Sequence, residues 1–223
     1  MTGNEAINLD QVLTVILNCF PSLNLLEQRL SLDLYRLLAQ GEPVSRDVLA
    51  HRLAVPVETV KQILDRWPGV FFDSQQRVVG YWGLSIPTAY TGPHQFRINN
   101  RTLSTWCAWD TLFLPQLLGG EAQIESRSPG GDKVSLVVSP SRVERIEPAE
   151  TCMSFLLPDE AGVQKDIVTT FCHFIHFFPS RQAGEGWIAK HPGVFLLSLE
   201  DALSLGLKKN EKQYREALRS EAA

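Results

Sequence analysis

Cys107 and Asp110 stand three residues apart in Leu103-Ser104-Thr105-Trp106-Cys107-Ala108-Trp109-Asp110-Thr111-Leu112, and each follows a tryptophan. In a helix this spacing puts both side chains on one face, about one turn apart. A thiolate is a soft ligand for soft metals, and a carboxyl group stripped of water holds or delivers a proton near neutral pH. The pair reads as a metal-handling thiol beside a proton donor. Alone it would mean little, because a free cysteine is usually a small buried hydrophobe and an aspartate near a helix start is often only a cap.

A second unusual stretch changes the weight of the first. Thr169-Thr170-Phe171-Cys172-His173-Phe174-Ile175-His176-Phe177-Phe178 is short, aromatic and apolar, and the pattern predicts a buried strand. Strand alternation would set Cys172, Phe174, His176 and Phe178 on one face and Phe171, His173, Ile175 and Phe177 on the other. A histidine embedded this way needs a hydrogen-bond partner. The remaining cysteines, Cys19 and Cys152, are assigned to packing.

The elements that must position these residues can be read in chain order. The 223 residues suffice for one large or two small domains. Leu9, Val12, Leu13, Ile16 and Phe20 predict a helix near 7–19 that Pro21 ends, and Leu26, Leu30, Leu34, Leu37 and Leu38 a second that stops at Gly41. Ser45 caps a third helix, and Pro56 opens a fourth with Val60, Ile63, Leu64 and Trp67 at helical spacing. Val70-Phe71-Phe72 and Arg77-Val78-Val79 flank a polar turn and predict a hairpin. This is the order of a winged helix-turn-helix.

The expected division is a winged-helix-like helical module over 1–82 and a catalytic domain over 83–223, with Gly80 to Gly92 as the passage between them. The second part predicts a mixed, mainly antiparallel sheet with helices, so the fold class is α+β. Leu84 to Ile86, Gln95 to Ile98, the segments within 121–157 and Val194 to Leu197 are its strand candidates. Thr102 or Ser104 would cap a helix bearing Cys107, whose N–H groups would lower that thiol's pKa. Short helices are expected at Trp187 to His191 and Leu199 to Leu207, and the charged tail from Lys208 to Ala223 should be a frayed, solvated helix.

Net charge is −4, and residues 1–80 hold more acids than bases. The would-be recognition helix carries Lys61 and Arg66 but also Glu58 and Asp65. Phosphate contacts need accumulated positive charge, so the charge argues against DNA as a partner and for a lid or packing platform. No basic residue precedes Arg29 and no uncharged apolar run reaches about 18 residues, so a cytoplasmic protein with reduced thiols and no membrane partner is expected.

Trp106-Cys107-Ala108-Trp109-Asp110-Thr111-Leu112 and Phe171-Cys172-His173-Phe174-Ile175-His176-Phe177-Phe178 together resemble the paired signatures of the organomercurial (alkylmercury) lyases. Val137-Val138-Ser139-Pro140-Ser141, Trp187-Ile188-Ala189-Lys190-His191-Pro192-Gly193 and Pro43-Val44-Ser45-Arg46 add to the likeness. The resemblance implies cleavage of a carbon–mercury bond by protonolysis, with the catalytic and mercury-binding roles falling on Cys107, Asp110 and Cys172. It also implies removal of the product by low-molecular-weight thiols and a mercuric reductase as acceptor. Many members have a second cysteine where this chain has His173, and the alternation argument turns His173 away from Cys172.

The chemistry suits the residues. Mercury(II) is thiophilic, two thiolates donating to it weaken the bond to carbon, and Asp110 can take a proton from a thiol and pass it to carbon. Trp106, Trp109, Phe171 and Phe174 would suit methyl or phenyl groups and raise the acid's pKa by desolvation. No redox cofactor is required. Two other readings use the same residues: a soft-metal sensor or carrier whose winged module binds DNA or a partner, and a zinc site made of Cys107, Asp110, Cys172 and His176.

Overall fold

The computed structural model of the chain describes residues 8–221. Residues 1–7, where the helix expected near 7–19 would begin, and 222–223, at the end of the charged tail, lie outside the described residues.

The helical module follows its local signals. α1 (Leu9–Cys19) is capped by the Asn8 side chain, which accepts from the N–H groups of Asp10 and Gln11. α2 (Leu25–Leu38) opens with a reciprocal capping box between Asn24 and Glu27. α3 (Arg46–Leu53) is capped by Ser45, and α4 (Val57–Arg66) starts after Pro56. On α4, Lys61 pairs with Glu58 and Asp65, and Arg66 pairs with Glu27 of α2.

β1 (Val70–Phe72) and β2 (Val78–Tyr81) form the expected hairpin. Part of the passage expected at Gly80 to Gly92 is strand. β2 pairs directly with β3 (Leu84–Ser85), matching Gly80 with Ser85 and Tyr81 with Leu84. β4 (His94–Ile98) and β5 (Arg101–Thr105) turn at Asn99 and Asn100, both with positive φ. After α5 (Asp110–Leu118) come β6 (Ala122–Arg127), β7 (Lys133–Val138) and β8 (Val143–Glu147). These strands make an antiparallel eight-stranded sheet in the order β1-β2-β3-β5-β4-β6-β7-β8. On β6 the burial alternates strictly, as expected of a sheet with one covered face.

β9 (Cys152–Leu156) leads to α6 (Glu160–Thr170), which is broken at Asp166 by an extended backbone. The stretch expected to be one buried strand is instead the end of α6, a 3-10 turn over Cys172–Phe174 and the two-residue β10 (Phe177–Phe178). α7 spans Arg181–Ile188, starting well before the short helix expected at Trp187 because Ser180 caps it. β11 (Val194–Ser198) completes a three-stranded sheet, β10-β9-β11.

Over the described residues the tail is a docked pair of helices rather than a frayed, solvated one. α8 runs over Leu199–Gln213 and α9 over Arg215–Glu221. Tyr214 is buried and its hydroxyl hydrogen-bonds Ser31 Oγ at 2.8 Å, while Gln28 Oε1 accepts from the N–H groups of Glu216 and Ala217. A charged composition concealed a short apolar stripe that docks on α2.

Candidate active site

Each site residue sits where regular structure stops. β5 ends at Thr105, and Trp106 to Trp109 form a turn before α5 begins at Asp110. Cys107 is therefore not in a helix, and Thr102 and Ser104 are strand residues rather than caps. The turn is pinned at several points. Trp106 N–H donates to the Gly83 carbonyl at 3.0 Å, Trp106 Nε1 donates to Ser85 Oγ at 2.7 Å, and Thr111 Oγ1 donates to the Ala108 carbonyl at 2.7 Å.

Cys172 arrives from the other side in the 3-10 turn. Ala108 N–H donates to the Ile175 carbonyl at 3.1 Å, tying the two turns together. Ser154 of β9 fixes the second turn, its Oγ donating to the Phe174 carbonyl at 2.8 Å and accepting from His176 N–H at 2.9 Å. The ligand atoms of Cys107, Asp110 and Cys172 consequently lie within 4.8 Å of one another. The three residues are 0%, 5% and 3% exposed.

Asp110 Oδ2 accepts from the Cys107 backbone N–H at 2.9 Å. Burial lifts the Asp110 carboxyl to about 6, against the opposing pull of the Cys107 thiol and N–H and of Lys209. Burial and the neighbouring Cys172 push the Cys107 thiol well up. The Cys172 thiol is eased toward ionisation by the Cys107 S–H, yet burial and Asp110 keep it above its ordinary value. The lowered thiol pKa expected from a helix start is overturned: Cys107 precedes the helix, and desolvation outweighs any dipole.

His176 does not join this cluster. Its Nε2 donates to the His173 carbonyl at 2.7 Å, and burial holds its pKa down at about 4. The four-ligand zinc set is thus not assembled; among the described residues the group able to hold a metal is Cys107, Asp110 and Cys172. His173 is exposed in the 3-10 turn, so the strand alternation expected to turn it away from Cys172 does not apply. Trp109, Phe155 and Phe171 pack edge to face behind the site, and Trp109 Nε1 donates to the Ala202 carbonyl at 2.9 Å.

Three residues at the site were not singled out from the sequence. Gly83 has φ +94, and a Cβ there would stand 2.4 Å from Asp110 Cγ, so only glycine lets this turn close over the carboxylate. Nothing local marks that need. Tyr90 is half-buried, and its hydroxyl pKa is raised by burial and by Cys172, Cys107 and Asp110. Lys209 is buried with Nζ 3.8 Å over the Phe113 ring, and burial draws its pKa down to about 7 while Asp110 opposes the change. Lys209 follows Leu199, Ala202 and Gly206 at helical spacing, a signal that could have placed it on the buried face.

The comparisons with known proteins agree with this geometry. The family described as "Alkylmercury lyase" matches residues 88–209, and "Helix-turn-helix domain of alkylmercury lyase" matches residues 24–82. The chain is 40% identical to the alkylmercury lyase of Staphylococcus epidermidis over 174 residues, 78% of this chain and 77% of that protein. It is 39% identical to that of Pseudomonas putida over 178 residues, 79% of this chain and 81% of that one. A crystal structure of the mercury-bound form of MerB2 superposes with a TM-score of 0.72 at 25% identity, covering 92% of this chain and 98% of that chain. Two turns that bring two thiols and a carboxyl together, on a chain alike over most of its length to these enzymes, establish it as a member of the alkylmercury lyase family.

Proposed function

We propose that this enzyme cleaves R–Hg+ by protonolysis at Cys107, Cys172 and Asp110. The observation that carries the reading is the meeting of three buried donor groups within 4.8 Å. In the free site the thiols hold their protons and Asp110, with a pKa of about 6, is mostly ionised near pH 7. As mercury binds one sulfur, that thiol's proton passes to the carboxylate. The second thiol binds as its proton leaves to solvent, and electron density from two sulfurs weakens the carbon–mercury bond. Asp110 then delivers its proton to carbon, which departs with the bonding electron pair as R–H. The balance is R–Hg+ plus two thiols giving R–H, a neutral bis-thiolate of mercury(II), and one proton. Burial favours this, since the carboxyl must return to the proton-bearing form at neutral pH.

No cofactor is required in this scheme. External low-molecular-weight thiols remove the product by exchange, and a mercuric reductase is the proposed acceptor. The proposed location is the cytoplasm, which keeps these thiols reduced; no helix among the described residues is long and apolar enough to cross a membrane. Residues 1–82 would act as a packing platform without DNA, in keeping with the paired charges of α4.

The test is benzene release from phenylmercury with excess thiol. The parent protein should produce benzene, and Cys107→Ser or Cys172→Ser should abolish it. A serine variant working at the parent rate would refute the assignment.

A further inference from the structure

Two histidine rings next to each other each keep one nitrogen without a partner. His94, on β4, is fully buried, and His176 lies between the 3-10 turn and β10 with part of its surface exposed. His94 Nε2 and His176 Nδ1 are both buried, and neither has a hydrogen-bond partner among the described residues. A buried polar atom left unpaired costs free energy, so a pair of them calls for a shared occupant. The two ring centroids are 6.4 Å apart.

The other nitrogen of each ring is engaged, and that decides what the unpaired one offers. His176 Nε2 lies 2.7 Å from the His173 carbonyl, which only accepts, so Nε2 carries the proton and Nδ1 presents a lone pair. His94 Nδ1 shares a 2.8 Å bond with Ser126 Oγ, and with Nδ1 donating there Nε2 presents a lone pair as well. Histidines that ligate metals are oriented in this way, with the far N–H tied to a neighbouring acceptor. Burial holds the two pKa values down at about 3 and about 4, so both rings are neutral near pH 7, the form that ligates.

The spacing and the surroundings select the ion. With metal–nitrogen bonds of about 2.0–2.1 Å, two imidazoles in line on one ion have their centroids about 6 Å apart. Cys107, Asp110 and Cys172 are the group of three close donors among the described residues, whereas these histidines form a pair. Zinc takes four ligands. Phe177 stands edge-on to His94 at 5.9 Å and Trp187 edge-on to His176 at 5.2 Å, an aromatic setting in which a double charge on two neutral ligands is costly. A monovalent d10 cation, silver(I) or copper(I), is satisfied by two nitrogens in line and brings half that charge.

We propose that His94 and His176 form a second metal site, a two-coordinate seat for a soft monovalent cation. The ion would tie β4 of the eight-stranded sheet to the start of β10 in the three-stranded sheet, as a clip separate from the donor cluster.

The experiment uses the full chain with Cys19→Ala and Cys152→Ala and with one equivalent of mercury(II) on Cys107 and Cys172, so that all four cysteines are removed or occupied. Silver(I) is added in chloride-free buffer while the ring ¹⁵N resonances of the five histidines are followed. His94 Nε2 and His176 Nδ1 should shift together and saturate at one equivalent. In His94→Gln the shift at His176 should vanish, and the rise in melting temperature that silver gives the parent should vanish with it. The parent spectra decide the matter even if His94→Gln folds poorly. Shifts confined to His51, His173 or His191 would mean surface binding, and no shift at any ring would leave a bridging water as the occupant; either result would overturn the proposal. Neither would touch the lyase reading, because the readout is at the histidines.

Discussion

The backbone N–H of Cys107 donates to Asp110 Oδ2 at 2.9 Å, so the carboxylate is held by the residue whose thiol stands beside it. The bond orients the acid without occupying the Cys107 sulfur. Asp110→Ala should therefore still bind mercury through its two thiols while turnover falls about 10²- to 10⁴-fold, the usual contribution of a positioned acid. Mercury titration of the purified variant beside a benzene-release assay checks both halves; unchanged turnover would remove the acid role.

The pH dependence follows from the same carboxyl. Burial raises its pKa to about 6, and the proposed mechanism needs it ionised in the free enzyme to accept a thiol proton. The rate constant kcat/KM should fall as pH drops through about 6, since that constant reports the free enzyme. Stability should move the opposite way. Between the ordinary carboxylate range and about 6 the folded state binds the extra proton, so this group's contribution to stability is present at low pH and is lost as pH rises through the window. Asp110→Asn should flatten that part of a Tm-against-pH curve.

Gly83 permits the close approach over Asp110. With φ +94 and a Cβ position 2.4 Å from Asp110 Cγ, Gly83→Ala should cost about 2–4 kcal/mol through backbone strain and overpacking. It should also displace the carboxyl, so any folded fraction should turn over more slowly than its mercury binding would suggest. Denaturant midpoints and kcat measured on the same preparation test this.

Lys209 is buried among aromatic rings, with its Nζ over the face of Phe113. Its pKa falls to about 7 through burial, so between that value and the ordinary lysine range the unfolded chain binds the extra proton and stability rises with pH. Lys209→Met should therefore stabilise the fold at pH 7 by on the order of 2 kcal/mol, raising Tm by about 5 °C, with the gain shrinking toward pH 10. The cation favours the Asp110 carboxylate, so its removal should also move the acid limb of kcat/KM upward. Thermal melts at two pH values and a rate profile distinguish these effects.

Cys19 and Cys152 hold backbone carbonyls, those of Pro158 and Ser180, and neither belongs to the donor cluster. Cys19→Ala and Cys152→Ala should keep turnover within about twofold of the parent, because such cysteines act as small buried hydrophobes. A large loss in a folded variant would show that a third thiol handles mercury.

Residue types and local order were enough to single out Cys107, Asp110 and Cys172 as candidates, which the structure brings together, and to mark the capped helices, the β1–β2 hairpin and the α+β class. These depend on short-range signals: caps, periodicities and turn residues that act within a few positions. The sequence could not show that Cys107 lies in a turn ahead of α5, or that the Cys172 segment is a 3-10 turn rather than a strand. A short apolar run surrounded by protein has no single polar face to reveal its period, and Ser154 and the Ile175 carbonyl, distant in the chain, set its shape. Tertiary packing alone decided the raised thiol pKa values, the Gly83 contact, the buried Lys209 and the docked tail. Each depends on which distant surface excludes water from a side chain, and no local pattern contains that.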